Sequence, residues 1–151
     1  MPSLSNVNNL IKSYNRVTTI LINEAFASGV GGFSASAGTE QVATVTNDGS
    51  GRLSVKCNTG SSNAYAYQSF STTINTVYSY SLTLIASGAG NGSIKIGTSA
   101  GNHSLVNQAV EDLQAYTGTF TATSTTTFLS LVTNNAGRIL KWDDIVLKEN
   151  N

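Results

Sequence analysis

Several kinds of residue and segment are scarce or lacking in this 151-residue chain, and each of these absences excludes a structural feature. Cys57 is the only cysteine, so no disulfide can form within the chain, and its alternation with polar neighbours predicts a buried thiol. The only proline is Pro2, so no later strand loses a backbone donor. No window approaches 18 apolar residues, so we predict no membrane-spanning helix. A basic region followed by an apolar run is also lacking at the start, so we expect no signal peptide.

Charged residues are few as well, at 11% of the chain, with eight basic and eight acidic residues in balance. Proteins that bind nucleic acids neutralise phosphates with a stripe of Lys and Arg, and no such stripe is present, so we expect no nucleic-acid partner. Catalysis is not expected either, because His103 is the only histidine and lies in a loop without a Gly-x-Ser-x-Gly turn. Asp143 and Asp144 are adjacent, so on a strand they point to opposite faces and cannot act as a glycosidase pair.

The residues that are abundant favour antiparallel sheets. Ser, Thr and Asn are poor in helix interiors, and an apolar fraction of 40% suffices for a packed core. From residue 17 onward the apolar pattern has period two, with turn signals at residues 47–49 and 91–92. The predicted strands are residues 41–46, 52–57, 64–71, 77–85, 93–97, 117–122, 127–132 and 139–147. The predicted core residues are Leu53, Val55, Phe70, Tyr80, Leu82, Leu84, Ile94, Ile96, Leu129, Leu131, Ile145 and Leu147.

Residues 1–18 follow a different pattern, in which four apolar residues recur at the spacing of one helical face. These residues are Leu4, Val7, Ile11 and Tyr14. The segment is too short and too rich in Asn to be a stable isolated helix, so its order would require another surface. We therefore predict a helical or extended arm over residues 1–18 that anchors the protein in an assembly, followed by a β-sandwich over residues 19–151. An unstructured leader is the alternative.

Six short elements occur in an order that resembles the carbohydrate-binding-module-like jelly-roll domains of phage tail and fibre proteins and of polysaccharide-degrading enzymes. The elements are residues 23–26, 32–33, 51–55, 66–70, 78–82 and 142–147. The resemblance extends over about residues 19–148, and it implies an all-β fold, an antiparallel jelly-roll β-sandwich. Because one fold supports many functions, the resemblance predicts architecture better than it predicts a ligand.

The resemblance is closest to phage versions of the fold, and it implies a non-enzymatic virion structural protein, either a capsid decoration (cement) protein or a short fibre. Such a protein is made in the host cytoplasm and located in the virion. Its partners would be other virion proteins of the capsid or tail and further copies of itself, with a trimer implied by the family. The alternative is a glycan-binding module that attaches a phage to a host-surface glycan or an enzyme to a polysaccharide.

The candidate glycan-binding or interface residues are aromatic. Strand alternation over residues 64–70 places Tyr65 and Tyr67 on one face and Phe70 on the other. Trp142, in the last of the six elements, could offer a third ring, because sugar sites combine exposed aromatic faces with polar groups. For all three rings the alternative is packing within the protein or against a neighbouring subunit.

Related modules hold a structural calcium ion between the early element and the closing strand. Glu24 and Asp143 are the carboxylates at those places, whereas Ala25 and Ala27 stand where acids are common. Calcium takes six to eight oxygen ligands, and two carboxylates are too few for such a site. We therefore predict no metal ion and no other cofactor.

Overall fold

Two antiparallel sheets face each other in the structure, a computed structural model that describes residues 18–87 and 91–150. These residues form twelve strands and no helix. In chain order the strands are β1 (Ile20–Glu24), β2 (Ser34–Ala35), β3 (Ala37–Gly38), β4 (Gln41–Asn47), β5 (Leu53–Cys57), β6 (Ala64–Ser71), β7 (Val77–Ser87), β8 (Gly92–Gly97), β9 (Val106–Val110), β10 (Ala115–Thr121), β11 (Thr126–Thr133) and β12 (Ile139–Glu149). The all-β antiparallel sandwich predicted from the sequence is confirmed.

The predicted arm lies almost wholly outside the described residues. Its four apolar residues, Leu4, Val7, Ile11 and Tyr14, are among those not described, so the anchoring role and the domain boundary after residue 18 stay predictions. Within the described ranges, no helix is long and apolar enough to cross a membrane.

The strands are arranged in two layers. One sheet has the order β10-β7-β12-β5-β4-β3, with β1 also paired to β12, and we call it the seven-stranded sheet. The other, the five-stranded sheet, has the order β2-β6-β11-β8-β9. Strand β12 is central, because β7 pairs along one side of it while β5 and β1 share the other side. From β5 to β8 and again from β9 to β12 the chain alternates between the sheets, which closes the sandwich as a jelly roll.

The core lies between the sheets and is built from alternate residues of the strands. Every predicted core residue is buried, the most exposed being Phe70 at 8%. In β7 the alternation is regular from Tyr78 to Leu84, because successive side chains of a strand point to opposite faces. The Tyr78 ring stacks on Phe120 with 5.5 Å between the ring centroids. Cys57 is buried as predicted.

Several local predictions differ from the structure. Strands β1, β2, β3 and β9 were not among the predicted strands. In β9 the apolar alternation is broken because Gln108 stands at an inward position, where it accepts a hydrogen bond from the Tyr80 hydroxyl at 2.9 Å. Gly92 is not in a turn but begins β8 and is buried. A Cβ at Gly92 would lie well inside 3.0 Å of the Val132 carbonyl oxygen, so this glycine allows two strands to approach closely rather than turning the chain.

A β-bulge interrupts the alternation of β12 at the aspartate pair. Trp142 and Ile145 are both fully buried although they are three residues apart. The register against β7 shifts between Asp143 and Val146, and Asp144 has a φ of 50°. The Asp144 N–H donates to Asp143 Oδ1 at 2.8 Å. Both aspartates therefore lie on the outer side between two inward residues, and the prediction that they point to opposite faces is wrong because it assumed a regular strand.

An ion pair joins β12 to the turn between β4 and β5. The Lys141 ammonium lies 2.9 Å from Asp48 Oδ2, and the Ser50 N–H donates to Asp48 Oδ1 at 2.9 Å. The Lys141 ammonium, and after it the Ser50 amide, holds the pKa of Asp48 below its ordinary value. A carboxyl whose folded-state pKa is depressed stabilises the fold above its unfolded pKa, and loses that contribution as the pH falls through the folded pKa.

We therefore expect Asp48→Asn to lower the free energy of unfolding at neutral pH. The difference from the wild type should be constant above about pH 5 and should shrink towards about pH 2, because the ordinary aspartate pKa is about 3.9. Urea denaturation across this range measures it, with Asp112→Asn in the exposed turn before β10 as a matched control. A difference that does not change with pH would contradict the prediction.

Candidate functional site

The candidate site is the outer face of the five-stranded sheet, the side turned away from the core. Strand β6 contributes to this face because its successive side chains point alternately towards the core and away from it. Ala64, Ala66 and Phe70 are buried, whereas Tyr65 and Tyr67 are half-buried on the opposite side. The structure thus places the two predicted tyrosines together on the outer face, as their positions in the sequence indicate.

A third ring from the neighbouring strand β11 joins the two tyrosines. The centroids of Tyr65 and Tyr67 are 6.0 Å apart with the rings tilted by 59°, and those of Tyr67 and Phe128 are 6.4 Å apart with a tilt of 44°. The register pairs Ser69 with Phe128, so Phe128 is the diagonal neighbour of Tyr67 on the same face. We call these three half-exposed rings the aromatic cluster.

A row of polar side chains crosses the whole face at the level of Tyr67. In strand order the row consists of Ser34, Tyr67, Ser130, Lys95 and Asn107. Neighbouring strands are about 4.8 Å apart, so the row is about 19 Å long. Lys95 is the only charged residue among the outward positions of the described strands of this sheet. The face therefore offers hydroxyl, amide and ammonium groups beside the rings.

The loop over residues 98–105, between β8 and β9, folds back over part of this face. The Gly101 N–H donates to Ser130 Oγ at 2.9 Å. Gly101 has a φ of 76°, which favours glycine, and a Cβ there would lie 2.8 Å from Tyr65 Cζ, so the loop lies directly against the ring. The loop covers Ser130 and forms one wall beside the aromatic cluster. His103, in the same loop, is exposed, as predicted.

Trp142 is not part of this face. It is fully buried on β12 of the seven-stranded sheet, and its ring packs edge-on against Tyr116 with centroids 6.5 Å apart. A buried ring cannot stack on a sugar, so the inclusion of Trp142 among the candidate glycan-binding residues is corrected. The residue belongs to the core because the bulge that follows it keeps both Trp142 and Ile145 turned inward.

The two carboxylates considered for calcium do not form a ligand cluster. Within residues 18–87 and 91–150, no three His, Cys, Asp or Glu side chains come together. The Glu24 carboxyl lies against Gly31, where a Cβ would meet its Cδ at 2.5 Å. The following loop is fastened by Asn47, whose Nδ2 donates to the Phe26 carbonyl at 2.6 Å. Glu24 and Asp143 alone do not make up the oxygen set that calcium requires.

A groove with a volume of about 530 Å³ lies on the other sheet, along β7, β10 and β12. Its lining residues are Ser79, Tyr80, Ser81, Thr117, Gly118, Thr119, Val146 and Lys148. Tyr80 is buried, its hydroxyl is bonded to Gln108, and burial raises its pKa. The groove therefore lacks an exposed aromatic face, and the aromatic cluster remains the better candidate for binding a flat apolar surface.

Neither Phe128 nor Lys95 was identified as a site residue from the sequence. The sequence does indicate that Phe128 points outward, because Leu129 and Leu131 are assigned inward. It does not indicate that Phe128 lies beside Tyr67, because that depends on the pairing of β6 with β11, two strands that are far apart in the chain. Lys95 likewise joins the row only through the pairing of β8 with β11.

Solved structures with the same fold are found at low sequence identity. The CBM22-1 xylan-binding domain of Paenibacillus barcinonensis Xyn10C is 17% identical with a TM-score of 0.60, over 88% of this chain and 96% of that chain. The N-terminal cellulose-binding domain of Cellulomonas fimi β-1,4-glucanase C is also 17% identical with a TM-score of 0.61, over 83% and 93%. The chain therefore has the jelly-roll fold of carbohydrate-binding modules.

A third similar structure is the enzymatically active domain of tailspike protein 4 of bacteriophage CBA120. It is 13% identical with a TM-score of 0.55, over 84% of this chain and 20% of that chain. Comparison of the sequence with family models and with curated proteins finds no match. At these identities the likeness establishes the fold alone, so the virion origin predicted from the sequence stays a prediction.

Proposed function

We propose that this protein is a non-enzymatic glycan-binding module that binds a polysaccharide on the outer face of the five-stranded sheet. The observation that carries the proposal is the aromatic cluster of Tyr65, Tyr67 and Phe128, three adjacent half-exposed rings beside a row of polar side chains. The likeness of the fold to carbohydrate-binding modules supports the same proposal.

The chemistry of the face suits a sugar. One side of a pyranose ring carries mainly C–H groups, which pack on an aromatic ring, while its hydroxyls need hydrogen-bonding partners. Tyr67 is central, because its ring neighbours both Tyr65 and Phe128. The Tyr67 hydroxyl, Lys95 Nζ and the Asn107 amide supply donors and acceptors along the row. Because the rings are tilted against each other, successive sugars would stack on rings of different orientation, as in a twisted chain.

We expect Tyr67→Ala to weaken glycan binding by about tenfold or more, because truncating a central aromatic anchor typically costs about 1–2 kcal/mol. Affinity electrophoresis in gels that contain soluble xylan, cellulose derivatives or mixed-linkage glucan identifies a retaining polysaccharide. Calorimetry with oligosaccharides of that polymer then gives the dissociation constants of the wild type and the variant.

Two further variants make the result specific. Tyr67→Phe keeps the ring and should retain most of the affinity, whereas Ser81→Ala, on the outer face of the other sheet, should leave binding unchanged. Thermal melts establish that each variant is folded. The proposal is wrong if no polysaccharide retains the protein, or if Tyr67→Ala binds as tightly as the wild type.

A second candidate function is that of a virion structural protein, a capsid decoration protein or short fibre attached through residues 1–18. This candidate rests on the resemblance of the sequence to phage versions of the fold, because the likeness to part of a phage tailspike shows the fold alone. It is compatible with glycan binding, because a virion protein can display a domain that attaches to host-surface glycans. Quantitative mass spectrometry of purified virions tests it: hundreds of copies would indicate capsid decoration, a handful would indicate tail or fibre, and absence would eliminate the candidate.

A further inference from the structure

Among residues 18–87 and 91–150, no second strand pairs with β10, which is therefore a free edge of the seven-stranded sheet as described. It pairs with β7 on one side and stands at the end of the strand order. Among the described residues, the backbone hydrogen bonds beyond the ladders include Leu84 N–H to Gln114 O and Ala122 N–H to Thr76 O. Bonded pairs alternate along an antiparallel ladder, so the even-numbered residues of β10 bond to β7. The backbone groups of its odd-numbered residues, Ala115, Thr117, Thr119 and Thr121, therefore point away from the sheet.

This edge has none of the features that usually keep an edge strand from pairing. With seven residues, β10 is longer than the other strands that border a sheet, namely β1 and β9 with five residues each and β2 and β3 with two. It contains no proline and no charged residue, and its register with β7 shows no bulge. Edge strands are normally protected by lysine, proline, bulges or short length. The free backbone groups of β10 are thus available to another strand.

Three exposed apolar side chains, those of Ile74, Val77 and Leu113, lie at the two ends of the same edge. Among the described residues, the large hydrophobic residues that are exposed are Ile20, Ile74, Val77 and Leu113. Leu113, 61% exposed, comes just before β10. Val77 is paired with Thr121 at the other end, and the turn that contains Ile74 is hydrogen-bonded to Ala122 through Asn75 N–H. Apolar surface at both ends of a free edge favours a partner that covers the whole strand.

We propose that β10 pairs with β10 of a second copy, antiparallel about a two-fold axis at Gly118, and joins the two seven-stranded sheets. Gly118 is the central residue of β10, so this register aligns all the outward-pointing residues. Ala115 then faces Thr121 of the second copy, and Thr117 faces Thr119. The pairing forms about eight hydrogen bonds between the chains, two for each of the four pairs.

The same register would cover the exposed apolar residues, and it favours a second copy of this chain as the partner. Antiparallel pairing brings Leu113 of one chain to the end of the edge where Ile74 and Val77 of the other chain lie. On the outer face it places threonines opposite each other, a favourable cross-strand pair. The chain has a formal net charge of zero, so two copies approach without net repulsion. A two-fold contact uses the same strand on both chains, and so it closes at two copies.

The register is tested with charges at the two threonines that face each other. In Thr117→Lys/Thr119→Lys, lysine faces lysine of the second copy at two positions, and self-association should weaken by at least about tenfold. In Thr117→Lys/Thr119→Glu, lysine faces glutamate at both positions, and association should return to about the wild-type level. Thr126→Lys, an exposed threonine on β11 of the other sheet, is the matched single-charge control and should dimerise normally.

Sedimentation velocity of the full-length chains over a wide concentration range measures the association, and thermal melts verify folding. The expected result is a reversible dimer for the wild type, a monomer for the double-lysine variant and a dimer for the lysine–glutamate variant. A monomeric wild type would overturn the proposal. So would a closed trimer, or a double-lysine variant that associates like the wild type, because neither uses a two-fold contact at Gly118. Glycan binding is measured separately, so the two proposals can fail independently.

Discussion

Replacing Trp142 with alanine is expected to lower the free energy of unfolding by about 3–5 kcal/mol. Trp142 heads the fully buried side chains in size, and it lies on β12 between its partner strands β5 and β7. Because β12 is hydrogen-bonded to a strand on each side, its backbone cannot shift far enough to fill the space of the indole. The cavity would therefore close only partly. Domains of this size are stable by about 5–15 kcal/mol, so the variant would be close to unfolding. Equilibrium denaturation with urea measures the loss.

The variant Trp142→Phe distinguishes the effect of ring size on stability from the effect of the indole nitrogen. Trp142 Nε1 is buried and has no hydrogen-bond partner among the described residues, so the indole carries an unsatisfied donor. Phenylalanine keeps much of the volume and removes that donor, and we expect a clearly smaller loss than for alanine. Glycan binding by Trp142→Phe should equal that of the wild type. An alanine variant as stable as the wild type would contradict the core position of this ring.

Gly92→Ala is expected to destabilise the protein by about 1–3 kcal/mol or more, although it adds only one methyl group. The new Cβ would overlap the Val132 carbonyl oxygen and the Leu140 side chain, both well inside 3.0 Å. The carbonyl belongs to β11, which is paired on both sides, so relief requires a shift of the backbone rather than of a flexible side chain. Urea denaturation of the variant and the wild type gives the difference in unfolding free energy.

Gly38→Ala provides the matched control. Gly38 also lies in a strand, is exposed, and would place its Cβ 3.8 Å from Gln41 Cβ, an ordinary contact. Removing a glycine where alanine fits reduces the freedom of the unfolded chain, so we expect no loss or a gain of up to about 1 kcal/mol. Equal losses at the two positions would show that the close approach of strands at Gly92 is not the cause.

The sequence alone determined which side chains of most strands face the core and which face outward. Period-two alternation depends only on local backbone geometry, so it assigned every predicted core residue to the interior and placed Tyr65 and Tyr67 on the outside. The same local rule is insufficient where the strand is irregular. Nothing in the local pattern of β12 reveals the bulge at Asp144, which keeps Trp142 and Ile145 both inward. A polar residue at an inward position, such as Gln108 in β9, also interrupts the apolar alternation, so the pattern does not predict that strand.

Only the tertiary structure decided which residues meet. Phe128 joins Tyr67 because β11 pairs with β6, and Lys95 joins the same row because β8 pairs with β11. These strands are separated by tens of residues, and their register is selected by the packing of the whole core rather than by any local preference. The free edge of β10 has the same origin, since being last in a sheet is a property of strand order. The sequence therefore determines which side of each strand faces out, and long-range pairing determines which outward residues form a surface.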